Sequence, residues 1–133
     1  IEGDKKTPIG SFKISHLYYR KDRIKKPQTQ LHNISIKKNM GWCDDLTNKK
    51  NYNKLIKVNK NIKHEKLYRK DKKYDLLIPI KYNFNNTILG KGSCIFIHLT
   101  KNYLPTAGCI ALKEKDFLIM LKILKKNTKI KIS

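Results

Sequence analysis

The chain has 133 residues, 39% of them hydrophobic, and its 31 Lys and Arg against 10 Asp and Glu give a formal net charge of +21. The apolar content excludes a wholly disordered chain, and the lack of any run of 18 apolar residues excludes a membrane-spanning helix. The charge points to an anionic partner such as nucleic acid, a membrane surface or an anionic polymer. The cations, however, are nearly all lysine, scattered among Asn and Ile, so a lysine bias explains them better than a dedicated nucleic-acid surface.

The length suits one domain with a modest core. The chain opens on Ile1 and carries no recognisable signal peptide, so it reads as a trimmed or processed piece. Turn chemistry stands at Gly3-Asp4 and again from Pro8 to Gly10, and a strand is expected from Ser11 to Tyr19. "LHNISIK" alternates apolar and polar residues and predicts a second strand. Met40 to Lys60 is rich in Asn and Asp and predicts a long loop, with the single tryptophan beside two carboxylates in "GWCDD". "HEKLYRK" predicts a short helix. "YDLLIPIKYN" predicts a strand whose Pro79 marks an edge or a bulge, because proline donates no ladder hydrogen bond.

"GSCIFIHLT" is the clearest strand. Its period of two sends Cys94, Phe96 and His98 to one face and Ile95, Ile97 and Leu99 to the other. Both faces are largely apolar, as in a strand between packed layers. "EKDFLIMLKILKK" predicts the one substantial helix, with Phe117, Leu118, Leu121 and Leu124 as its apolar stripe and Asn127 as a C-terminal cap. "KIKI" closes the chain as a strand. Many strands and one helix near the C-terminus predict a mainly β sandwich.

Three cysteines, Cys43, Cys94 and Cys109, leave at least one outside any internal disulfide, and without a CxxC pair they predict no zinc site. His98 and Cys109 stand 11 positions apart. That is enough chain for a strand to leave, turn at Pro105 and return beside the histidine. An imidazole in reach of a thiol can take its proton and release the nucleophilic thiolate. The small residues before Cys109 let a substrate approach the backbone, and N–H groups at Gly108 and Cys109 are placed to face an oxyanion. Free cysteines are also among the most buried residues, so a core histidine and a buried thiol account for the spacing alone better than catalysis does.

The motif "IFIHL…PTAGCIAL" resembles the signature of the L,D-transpeptidase catalytic domain, or YkuD domain. In that signature a histidine ends a strand and is followed by a small hydroxyl residue, any residue, Gly and Cys. Here the positions fall on His98, Thr106, Ala107, Gly108 and Cys109. "EGDKKTPIGSF" is similar to the family's opening segment through Thr7, Pro8, Gly10 and Phe12. "GWCDD…YNKLI", "LYRKDKKYDLLIPIKYN" and "GKGSCIFIHL" resemble one bacterial branch. The likeness covers nearly the whole chain, residues 1–133, as a single catalytic domain in which the strands ahead of the opening segment are missing. Three departures stand out. The loop from histidine to cysteine is short, which implies a small flap. Ala107 replaces a larger residue, and Ala111 replaces the arginine or asparagine often tied to substrate binding.

The resemblance implies a β-sandwich of mixed sheets and an L,D-transpeptidase acting on peptidoglycan stem peptides. Cys109 is the implied nucleophile and His98 its base. Gly108, Thr106 and Ala107 form the active-site turn, with Thr106 either bonding near the nucleophile or shaping the turn. It implies no cofactor and no metal, a periplasmic or otherwise extracytoplasmic place in the bacterial envelope, and a possible anionic cell-wall polymer as partner for the basic surface. Trp42, Asp44 and Asp45 stand either along a substrate groove or in a satellite core. His64 beside Glu65 reads as a solvated helix face, and Cys43 and Cys94 as core or loop thiols. His16 and His32 have no partner pattern. Two other activities stay open: an L,D-carboxypeptidase, or a non-catalytic basic module binding wall or nucleic acid.

Overall fold

A computed structural model describes residues 1–4, 6–100 and 109–132. Among these residues ten strands and one helix follow in the order β1 (Gly10–Lys13), β2 (Leu17–Tyr19), β3 (Asn33–Ser35), β4 (Met40–Cys43), β5 (Leu55–Lys57), β6 (His64–Lys66), β7 (Leu76–Pro79), β8 (Phe96–Leu99), β9 (Ile110–Leu112), α1 (Glu114–Ile123) and β10 (Lys129–Ile132). The fold is mainly β, with mixed and antiparallel sheets and one helix near the C-terminus.

The central sheet has the order β3-β2-β7-β8-β9, antiparallel in its middle and parallel at both margins. β7 and β8 are buried along their whole length, which their unbroken apolar sequence requires of strands covered on both faces. Leu76, Ile78, Ile97 and Leu99 point to one core, shared with Phe117 and Leu121 of the helix. Leu77 and Phe96 point to the other, shared with Tyr18, Trp42, Leu67 and Tyr74. The second core lies against a three-stranded antiparallel sheet, β5-β4-β6, and the β1–β10 pair closes the helix side through Phe12, Ile130 and Ile132.

Several elements depart from the sequence expectations. The strand expected from Ser11 to Tyr19 is two strands in different sheets. Ile14 makes a lone bridge to Ile80 and the Ser15 N–H reaches the Pro79 carbonyl, so the chain crosses between sheets there. The expected loop from Met40 to Lys60 contains β4 and β5. The helix expected in "HEKLYRK" is instead β6, where Glu65 pairs with Trp42 and the following Leu67 is fully buried. Ladder pairing and burial outweigh a local preference of a few tenths of a kcal/mol per residue there. Pro79 marks no edge, because β7 is the central strand of its sheet. Pro79 is its last residue, so the missing N–H removes little from the ladder. Asn127 does not cap the helix. Leu124 leaves it first in extended conformation, with its side chain buried and its N–H on the Met120 carbonyl.

Candidate active site

His98 lies third in β8, opposite Leu77 on one neighbour strand and Ala111 on the other. Alternation puts it on the same face as Phe96, towards the second core, and only 1% of it is exposed. Its Nδ1 is 2.9 Å from the Leu99 carbonyl oxygen. A carbonyl only accepts, so Nδ1 must carry the hydrogen and Nε2 the lone pair. Nε2 is buried and has no hydrogen-bond partner among the described residues. Burial holds the imidazole below its usual pKa, and the nearby Lys73 and Arg69 charges add to the shift. His98 is therefore a neutral imidazole with its basic nitrogen open.

Cys109 enters β9 from the N-terminal side. β8 and β9 run parallel with Ile97 beside Ile110 and His98 beside Ala111, which carries Cys109 to the level of Phe96. The thiol packs against the core cluster that contains Phe96, on the His98 face of the sheet. Its Sγ donates to the Cys94 carbonyl at 3.2 Å. Burial pushes the Cys109 thiol up, while the Phe96 backbone and Lys73 favour the thiolate and Glu65 opposes it. Burial pushes the Cys43 and Cys94 thiols up as well. None of the three is a ready-made thiolate; Cys94 and Cys109 both pack on the His98 side, and Cys109 is the one that the parallel β8–β9 register sets beside Phe96, two residues from His98. Thr106, Ala107 and Gly108 lie outside the described residues.

The imidazole is held by aromatic neighbours. Tyr74 meets His98 edge to face with ring centroids 5.7 Å apart, and meets Phe96 at the same distance. The Tyr74 hydroxyl donates to Glu65 at 3.0 Å, and Glu65 also receives Arg69 at 3.3 Å. Burial and the Glu65 charge push the Tyr74 phenol far above its usual range, so it stays a donor. Glu65, expected on a solvated helix face, is thus a half-buried strand residue linked to His98 through one ring.

Trp42 is 4% exposed, stacked on Phe84 and edge-on to Phe96 and Tyr18. Its indole N–H donates to Asn53 Oδ1 at 2.9 Å. Asp45 closes a turn: its carboxylate accepts from the Thr47 hydroxyl and N–H and from the Lys63 N–H, which hold it below the usual carboxylate range. Asp44 is half-buried, its Oδ1 has no partner among the described residues, and burial raises its pKa. Asn53 escaped sequence reading. It sits at φ 58° and is 4% exposed. It accepts from Trp42 and the Cys94 N–H and donates to the Tyr82 and Asn83 carbonyls. It thereby anchors the segment whose Cys94 carbonyl receives the Cys109 thiol. The signal available for it was only its place in "YNKLI". Beside this segment lies a cavity of about 390 Å³, walled by Ile1–Asp4, Lys6–Pro8, Tyr82 and Lys91–Ile95.

His16 and His32 meet edge to face at 5.1 Å, in a hollow they share with Lys81 and Lys126. Among the described residues no group of three or more His, Cys, Asp or Glu is placed to hold a metal, and no helix is long and apolar enough to cross a membrane. Compared with known proteins, residues 1–132 match the family model described as YkuD, L,D-transpeptidase catalytic domain. No curated protein and no solved structure gives a significant match.

Proposed function

The chain belongs to the YkuD family of L,D-transpeptidase catalytic domains, and on that premise we propose that it is a cysteine acyltransferase working on peptidoglycan tetrapeptide stems. The observation that carries this reading is the His98 hydrogen bond to the Leu99 carbonyl, which leaves Nε2 as an open base on the face Cys109 shares.

The resting pair is neutral, so the thiol is deprotonated as it attacks rather than beforehand. Nε2 takes the Sγ proton while sulfur bonds to the carbonyl carbon of the stem's third residue. The negative charge moves to the carbonyl oxygen, towards the backbone N–H of Cys109. Collapse breaks the C–N bond, and the imidazolium gives its proton to the departing D-alanine amine. The thioester then meets an amine from a second stem. His98 takes that amine's proton, the new C–N bond forms, the C–S bond breaks, and the imidazolium returns its proton to sulfur to restore the thiol. Water in place of the amine yields the tripeptide, the carboxypeptidase outcome. The substrate places the reaction on the outer side of the bacterial membrane.

The test is mass spectrometry of disaccharide-tetrapeptide incubated with the protein and with Cys109→Ala. D-Alanine release with a cross-linked dimer supports transfer, and tripeptide alone supports hydrolysis. Product formation that persists in Cys109→Ala overturns the assignment. His98→Ala is expected to lower kcat/KM by about 10²–10⁴.

A further inference from the structure

A tetrapeptide stem ends in a carboxylate one residue beyond the bond under attack, so the reaction calls for a cation close to Cys109. The position beside His98 in β9 supplies none, being Ala111. We propose that Lys73 binds the terminal carboxylate of the donor peptide, as a specificity-determining residue; this rests on the acyltransferase reading.

Three observations carry it. First, Lys73 adjoins the pair. Its carbonyl accepts the N–H of Leu99, the residue after the histidine, at 3.0 Å. Its ammonium lies 5.2 Å from the centroid of the Tyr74 ring that His98 also touches. Its charge favours the Cys109 thiolate and disfavours the His98 imidazolium, as a cation within reach of both must.

Second, Lys73 is uncommitted. Arg69, a second cation near the site among the described residues, is engaged by both Asp71 oxygens and by Glu65. Lys73 forms no ion pair with any described residue and rests half-buried on an aromatic face, an arrangement a carboxylate can extend.

Third, its segment is pinned. Arg20 is 3% exposed, donates to the Arg69 carbonyl and stacks on Tyr68 at 3.7 Å. Arg23 donates to the Lys70 and Asp71 carbonyls and pairs with Asp75. The Lys73 N–H donates to Asp71 Oδ1. A cation on so fixed a backbone binds with little ordering cost.

Two measurements test this. In the first, Lys73→Met and Lys73→Arg are compared with the unchanged protein on tetrapeptide ending in D-alanine and on the same peptide ending in D-alaninamide. Lys73→Met should lower kcat/KM for the acid by about tenfold or more beyond any loss on the amide, and be partly rescued by Lys73→Arg. Equal loss on both peptides, or none on either, overturns the proposal while Cys109-dependent turnover still upholds the acyltransferase reading. The second measurement needs no turnover. Alkylation of Cys109 by anionic iodoacetate and neutral iodoacetamide is followed by peptide mapping. The iodoacetate-to-iodoacetamide rate ratio should fall about threefold in Lys73→Met at low salt. An unchanged ratio overturns the carboxylate site even if no peptide is turned over.

Discussion

At the scale of the residue, the His98–Cys109 pair is one of two neutral groups. Burial lowers the imidazole and raises the thiol, so protonation of His98 begins only below the ordinary imidazole value of about 6.5. Cys109 stays protonated through neutral pH. Its alkylation rate should therefore climb about tenfold per pH unit from pH 6 to 8 with no plateau. A flat rate across that range would mean a preformed ion pair. Asn53 offers a second test. Replacing it strands the Trp42 indole N–H and the Cys94 N–H, at a cost of about 1–3 kcal/mol in denaturant unfolding. Asn53→Ala should lose about 1–2 kcal/mol more than Asn53→Gly, because alanine resists the positive φ that glycine accepts. Equal losses would show that the hydrogen bonds alone matter.

At the scale of the element, β8 carries the site because it is covered on both sides. Phe117 and Leu121 of α1 press on the face opposite the imidazole. Phe117 is fully buried, so Phe117→Ala should cost about 3–5 kcal/mol. That loss should lower Tm while the folded fraction keeps the Cys109 alkylation rate, since the helix touches the other face. The β4–β6 ladder covers the imidazole side. A Cβ at Gly41 would come within 2.8 Å of the His64 ring, so Gly41→Ala must push that ring aside, next to the Glu65 that holds Tyr74. A reduced kcat/KM in Gly41→Ala with Cys109 intact would report that displacement. The helix and β8 were legible in the sequence because each is long or strongly patterned. β5 and β6 were not: three-residue strands carry too few residues for a period, and only their pairing with β4 defines them.

At the scale of the molecule, the +21 charge is spread over most of the chain, and the few acidic residues are largely engaged locally. A surface of this sign should hold the protein to carboxylate- and phosphate-bearing wall polymers. Sedimentation with purified sacculi should then show binding that falls steeply between low and physiological salt. Binding indifferent to salt would assign retention to the peptide-binding site instead.

The sequence by itself determined the mainly β class, the late helix, the two faces of β8 and the candidate pair His98 and Cys109. Each rests on a local repeat or a short motif, which survives without knowledge of contacts. Only the folded structure decided the tautomer of His98, because Nδ1 meets the carbonyl of the next residue only in the side-chain and backbone conformation that the packed strand holds. Only the tertiary structure placed Trp42 in the core, made Asn53 a hub across 41 residues and brought Lys73 to the site from another strand's approach. Those roles depend on hydrogen bonds and ring contacts between segments far apart in the chain, and no pattern within either segment encodes its partner.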